Sequence, residues 1–139
     1  MPQFDHEKLD VYRFALEFVV YASTVVEQLP KGRGYLADQL QRAATSIPLN
    51  IAEGAGEYSR SDKARFYRIA RRSATESSAI IDVCKKLDLI SQESHATGRE
   101  SLLSIVAMLT RLVRNLTVSG RGAGKGKGRE VLSDLSDRT

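Results

Sequence analysis

From Leu9 to Leu116 apolar residues recur at steps of three and four, and no stretch alternates apolar and polar residues as a half-buried strand would. This period constrains the fold more than any other feature. Such a chain can bury its apolar surface only as helices packed on helices. Residues 8–29 read as a first helix, 35–56 as a second, 60–88 as a third and 92–117 as a fourth. The first, third and fourth are similar in length and the connections are short, which favours antiparallel neighbours. The expectation is an all-α protein: an antiparallel up-down four-helix bundle over residues 1–117, then a disordered basic Gly-rich tail over 118–139. A chain of 139 residues suits one such core and not two.

The first helix is apolar on two sides. Leu9, Tyr12, Leu16, Val19 and Val26 form one series; Val11, Phe14, Phe18, Tyr21, Val25 and Leu29 form another, about 200° away. One side faces the core, and the other calls for a second copy of the chain. Pro30, Gly32 and Gly34 end this helix. The second helix has Leu36, Leu40, Ala43, Ile47 and Ile51 as its core stripe, with Pro48 inside it. A break near Ile47, with Ser46 capping a new helix, and a kinked continuous helix both fit the pattern. Gly54 and Gly56 supply its stop.

Ser59 followed by Asp62 marks the start of the third helix. Its core face reads Phe66, Ala70, Ser73, Ser77, Ile80, Cys84 and Leu87, with small residues in the middle that admit a close neighbour. The fourth helix has the seam Leu102, Ile105, Leu109, Leu112 and Leu116; Ser91, or Thr97 with Glu100, could cap its start.

Several function classes have little material. His6 and His95 lie near helix ends with no serine or cysteine motif beside them, so no nucleophile–base pair can be built from the sequence. Phosphate-binding glycine loops are absent, and two histidines with one cysteine leave no metal site, so neither cofactor nor metal is expected. Cys84, on an apolar face, reads as a small core residue. That single cysteine, the absence of a signal-peptide layout after Met1 and the lack of any unbroken membrane-length apolar run point to a cytoplasmic protein with no membrane partner.

Two clusters remain. Ser46, Asn50 and Glu53 fall within about 60° of one another on a helix, and Arg42 borders them. They read as a structural polar network at the core edge, with Arg71, Arg72 and the serines of the third helix as donors. A catalytic Glu53 is the rival reading, and it lacks a base partner. The second cluster is cationic. Between Arg60 and Arg72 stand six basic residues and one acid. Arg60, Lys63, Arg68 and Arg71 can form a ridge, with Arg65 and Arg72 as a neighbouring row, and Tyr58 and Tyr67 nearby to stack on bases. Arg121, Lys125, Lys127 and Arg129 add charge in the tail, in the manner of segments that bind RNA without reading bases. Beyond them Val131, Leu132 and Leu135 could form one helical turn on a partner.

The run Arg42-Ala43-Ala44-Thr45-Ser46-Ile47-Pro48-Leu49-Asn50-Ile51-Ala52-Glu53-Gly54 resembles the signature of a family of four-helix-bundle proteins. That family is named after the intervening sequences of bacterial 23S ribosomal RNA. The opening Leu9-Asp10-Val11-Tyr12, the stretch from Phe66 to Glu76 and the leucine-rich fourth helix are similar to it too, so the resemblance spans about residues 8–116. Arg72 departs from the pattern, where the family has glycine. The resemblance implies a continuous second helix, a cyclic homopentamer, and structural roles for Ser46, Asn50 and Glu53. A related bundle, the accessory variability protein of diversity-generating retroelements, binds nucleic acid and partners a reverse transcriptase. The expected function is therefore a non-enzymatic oligomeric bundle that binds RNA or DNA, accessory to a reverse transcriptase or to a ribosomal RNA insertion. The alternative is an adaptor for an acidic partner protein.

Overall fold

The computed structural model describes residues 2–120. A short 3₁₀ turn, Asp5–Lys8, leads into α1 (Asp10–Gln28), α2 (Gly34–Gly56), α3 (Arg60–Lys86) and α4 (Gln92–Gly120). The helices form an antiparallel up-down bundle, and among the described residues there is no strand. Packing follows chain order: α2 against α3, α3 against α4, and α1 closing the ring through thinner seams with α2 and α4. α4 continues to Gly120, past the expected end at residue 117. The expected basic tail from residue 121 onward lies outside the described residues.

The starts of α1, α3 and α4 each have a local reason. α1 starts two residues later than expected: the Leu9 backbone is extended, with ψ 125°, and separates the 3₁₀ turn from α1. Ser59 Oγ accepts from the Asp62 backbone N–H at 3.0 Å, capping α3. Ser91, rather than Thr97, caps α4, accepting from the Ser94 N–H at 3.0 Å. α2 runs unbroken through Pro48. The missing N–H removes one ladder bond. Ile47 and Ile51, both fully buried, anchor the helix on either side and override the break.

Of the two apolar series on α1, Val11, Phe18 and Val25 enter the core, joined by Ala15 and Ala22. In the other series Leu16 stands exposed, while Leu9, Tyr12, Val19 and Val26 are half-buried. Val20 extends this exposed apolar side. On α3 the buried aromatic is Tyr67, at 4% exposure, and Phe66 is half-buried. Leu87 sits outside the core, at the point where α3 ends. The fully buried Phe18, Leu40, Ile47, Ile51, Ile81, Ile105 and Leu109 come from all four helices. Each such burial stabilises by roughly 1.5–3 kcal/mol before ordering costs.

Gly54 lies within α2 rather than ending it, and its role is packing. A Cβ there would stand 2.7 Å from Tyr67 Cε1 and 3.1 Å from Phe66 Cβ. Only a hydrogen fits between α2 and the α3 aromatics at this point.

Candidate nucleic-acid interface and the adjoining polar seam

The polar cluster of α2 divides in two. Ser46 Oγ and Ser73 Oγ share a hydrogen bond of 2.8 Å across the α2–α3 seam. Asn50 Nδ2 donates to Ser46 Oγ and to the Ser46 carbonyl, each at 2.9 Å. Ser77 Oγ, fully buried, donates to the Ser73 carbonyl at 2.9 Å. Arg42 and Glu53 are exposed and take no part in this seam. The wheel explains the split. Measured from the centre of the α2 core stripe, Asn50 lies about 85° away, Ser46 about 125°, Glu53 about 145° and Arg42 about 165°. Buried Ala44, Pro48 and Ala55 displace the stripe away from this cluster, which leaves Asn50 at the core edge and turns Glu53 and Arg42 to solvent. Arg71 and Arg72 accordingly do not serve Glu53. Instead Glu53 lines a shallow hollow with Phe4, Asp5, His6 and Glu57 at the bundle end.

The cations of α3 also divide. Arg60 reaches over the end of the bundle, donating from Nε to the Leu116 carbonyl and from Nη2 to the Asn115 carbonyl, each at 3.2 Å. Lys63 Nζ donates to the Ala55 carbonyl at 2.9 Å and the Gly54 carbonyl at 3.4 Å. The ammonium thus meets carbonyls of the last turn of α2, which lack i+4 partners, and the guanidinium meets the C-terminal part of α4, on the negative side of its dipole. Arg71 is 8% exposed and donates to Thr110 Oγ1, itself buried, at 3.4 Å. The expected ridge of Arg60, Lys63, Arg68 and Arg71 is therefore not a solvent-facing row. Relative to Arg60, Lys63 and Arg71 lie within about 60° on the side shared with the buried Ala64, Tyr67 and Ala74.

The neighbouring row does face outward. Arg65 and Arg72 are exposed and Arg68 is half-buried beside them. Arg65 lies over the Phe66 ring at 4.4 Å and 3.9 Å from Asp62, with its side chain still 58% exposed. Such an exposed pair is weak and easily exchanged. Arg72 extends into solvent, so the residue that departs from the family pattern adds charge without disturbing packing. Tyr58 is fully exposed next to this end of α3, whereas Tyr67 is core and cannot stack on a base. Arg121, Lys125, Lys127 and Arg129 lie outside the described residues.

Some pairings were invisible in the sequence. His95 Nε2 lies 2.7 Å from Asp82 Oδ1, joining α3 to α4 across their connection. Tyr21 Oη donates to the Ser94 carbonyl at 2.8 Å, linking α1 to α4. Burial pushes the Tyr21 hydroxyl above its usual pKa, partly offset by the Ser94 contact. Desolvation likewise raises the thiol of the fully buried Cys84. Antiparallel helix ends meet over short connections, so Asp82 and His95 are findable only once the turn between them is placed.

Four helices in up-down order, with hydroxyl and amide groups joining α2 to α3, place the chain in the class of small all-α four-helix bundles. The chain belongs to the 23S rRNA-intervening sequence protein family, which matches residues 7–111. Among solved structures it is similar to the crystal structure of a protein of unknown function from the S23 ribosomal protein family of Bacteroides thetaiotaomicron. The two are 24% identical and superpose with a TM-score of 0.70, over 74% of this chain and 97% of that one, a likeness of fold. No curated protein matches the chain.

Proposed function

We propose that this protein is a non-enzymatic, oligomeric bundle of the cytoplasm that binds RNA or DNA, accessory to a ribosomal RNA insertion or a reverse transcriptase. The observation that carries this reading is the outward pair Arg65 and Arg72 on a rigid helix, with Arg68 half-buried beside them, whereas Arg60, Lys63 and Arg71 reach helix ends and Thr110. Cations in fixed register on one face suit a phosphate backbone. Repetition of the row around a homopentamer, with the exposed Leu16 and Val20 of α1 as part of the contact between copies, would multiply its field. The basic residues from Arg121 to Arg129 add sequence-independent charge.

Binding of a structured RNA and of duplex DNA, measured across a salt series, tests the proposal. Arg65→Glu with Arg72→Glu should weaken binding and flatten its salt dependence while the helical content stays unchanged. Intact oligomer that ignores both nucleic acids at low salt would overturn it. The same arginine row also fits an acidic protein surface. Capture of a partner that survives nuclease treatment and is lost with the double substitution would favour that adaptor reading.

A further inference from the structure

The link between α2 and α3 runs only from Glu57 to Ser59, and Tyr58 stands at its middle. Both of its neighbours are fixed. The Glu57 N–H donates to the Gly54 carbonyl at 3.1 Å. The Ser59 carbonyl accepts from the Lys63 N–H at 3.0 Å, and its hydroxyl caps α3. Behind the link Gly54 lies against Tyr67 and Phe66, so the two helix ends are packed as well as joined. Tyr58 itself is 102% exposed. An aromatic ring carried on a stiff link loses little freedom when a partner covers it.

The charges around this end are mixed. Arg65 stands about 9 Å along α3 from the Ser59 cap, and Arg72 about 10 Å further on. Both are exposed, and Arg65 lies over the Phe66 ring at 4.4 Å. On α4, whose C-terminal part meets Arg60, Arg111 is exposed and Arg114 half-buried. Against them stand Asp62, 3.9 Å from Arg65, and the exposed Glu76 one turn past Arg72. Glu53 and Glu57 share the end hollow with His6 and with Asp5, itself 3.7 Å from Lys8. From Glu53 to Glu76 six basic residues face four acids. Arg60 and Lys63 are turned to helix-end carbonyls. Coulomb attraction from so mixed a surface is modest, and a strand held there needs a second source of affinity. The bare ring supplies one. Stacking one base on an aromatic side chain strengthens binding by roughly 5–150-fold. Only an unpaired base can do this, because in a duplex each base must first leave its own stack.

We propose that the nucleic acid bound by this protein is single-stranded, and that Tyr58 holds it by stacking on an unpaired base while Arg65 and Arg72 meet its phosphates. The inference rests on the nucleic-acid reading and narrows the ligand to strands with unpaired bases. Every base offers a face to the ring, so this contact selects for strandedness and not for sequence. Tyr67, buried against Gly54, has no share in it.

Fluorescence anisotropy of the full chain with three labelled probes of equal length tests the proposal: a thymine homopolymer strand, the same deoxyribose–phosphate strand without bases, and a duplex. The thymine strand should bind more tightly than the abasic one. Tyr58→Ala should weaken the thymine strand by roughly 5–150-fold, to the level of the abasic strand, with the salt slope unchanged. The abasic strand and the duplex should bind this variant as they bind the native chain. Tyr58→Phe should keep the native preference, and a uracil homopolymer should behave as the thymine one does. Tyr58 lies outside the core, so helical content should not change in either variant. Equal binding of the thymine and abasic strands, or a Tyr58→Ala loss shared by the duplex, would overturn the proposal and leave the nucleic-acid reading standing. A chain that binds none of the three at low salt would overturn both.

Discussion

The Tyr21 ring lies against the backbone of Gly98, so close that a Cβ at position 98 would stand 2.5 Å from both Cζ and Oη of the tyrosine. The same hydroxyl donates to the Ser94 carbonyl one turn earlier on α4. α1 and α4 are thus registered by one ring meeting one missing side chain. Gly98→Ala should destabilise the bundle by about 1–3 kcal/mol, the range for overpacking a close contact. Tyr21→Phe should lose only about 1 kcal/mol, one hydrogen bond. Thermal unfolding measures both. In a Tyr21→Ala background Gly98→Ala should become nearly harmless, and equal penalties in the two backgrounds would refute this account.

The Ser46–Ser73 bond joins two hydroxyls that have few other partners at the α2–α3 seam. Ser73→Ala strands Ser46, and Ser46→Ala strands both Ser73 and an Asn50 donor. Each should cost about 1–2 kcal/mol in chemical denaturation. The double substitution should cost clearly less than the sum, because neither hydroxyl is then left facing a missing partner and only the Asn50 contact is lost.

Asp88 closes α3 in the left-handed region, at φ 59°. The Leu89 N–H reaches back to the Cys84 carbonyl at 2.8 Å, the bond of a glycine-type helix end made without glycine. An acidic side chain at a negative helix terminus adds a further small penalty. Asp88→Gly should therefore stabilise the protein by about 0.5–1 kcal/mol, read as a higher Tm.

Burial raises the phenol pKa of Tyr67 above its ordinary 10.0, and the nearby Asp5 charge acts in the same direction; Tyr21 is raised too. Both folded-state values exceed the unfolded one. Their contribution to stability is then complete below about pH 10 and is lost as the pH rises through the folded values. Stability should be flat toward neutral pH and fall on the alkaline side. Tyr67→Phe with Tyr21→Phe should soften that fall, as followed by helical circular dichroism.

The fold was legible because a core stripe needs only period and residue type, and both were clear from Leu36 to Ile51 and from Leu102 to Leu109. α2 ends at Gly56, within the expected range, but Gly54 belongs to packing and not to that stop. Gly54 looks like a stop signal in one dimension, and its function is set by Tyr67, thirteen positions away on another helix. The cationic site was half legible. Spacing identified two rows on α3 but not which of them faced the core. Arg60, Lys63 and Arg71 are polar residues spent on helix ends and on Thr110, contacts that depend on where α2 and α4 terminate. Glu53 needs no buried donor, because Ala44, Pro48 and Ala55 widen the buried stripe of α2 on the side away from it.

α2, α3 and α4 share broad seams, and α1 is fastened on both flanks by narrower ones. The bundle is therefore a three-helix keel with one detachable stave. Cooperative opening should begin with α1 lifting away, exposing Phe18 and Val25 while the Ser46–Ser73 staple stays shut. Neighbouring copies that grip α1 from outside would clamp the weakest member of the fold, making assembly and rigidity a single event.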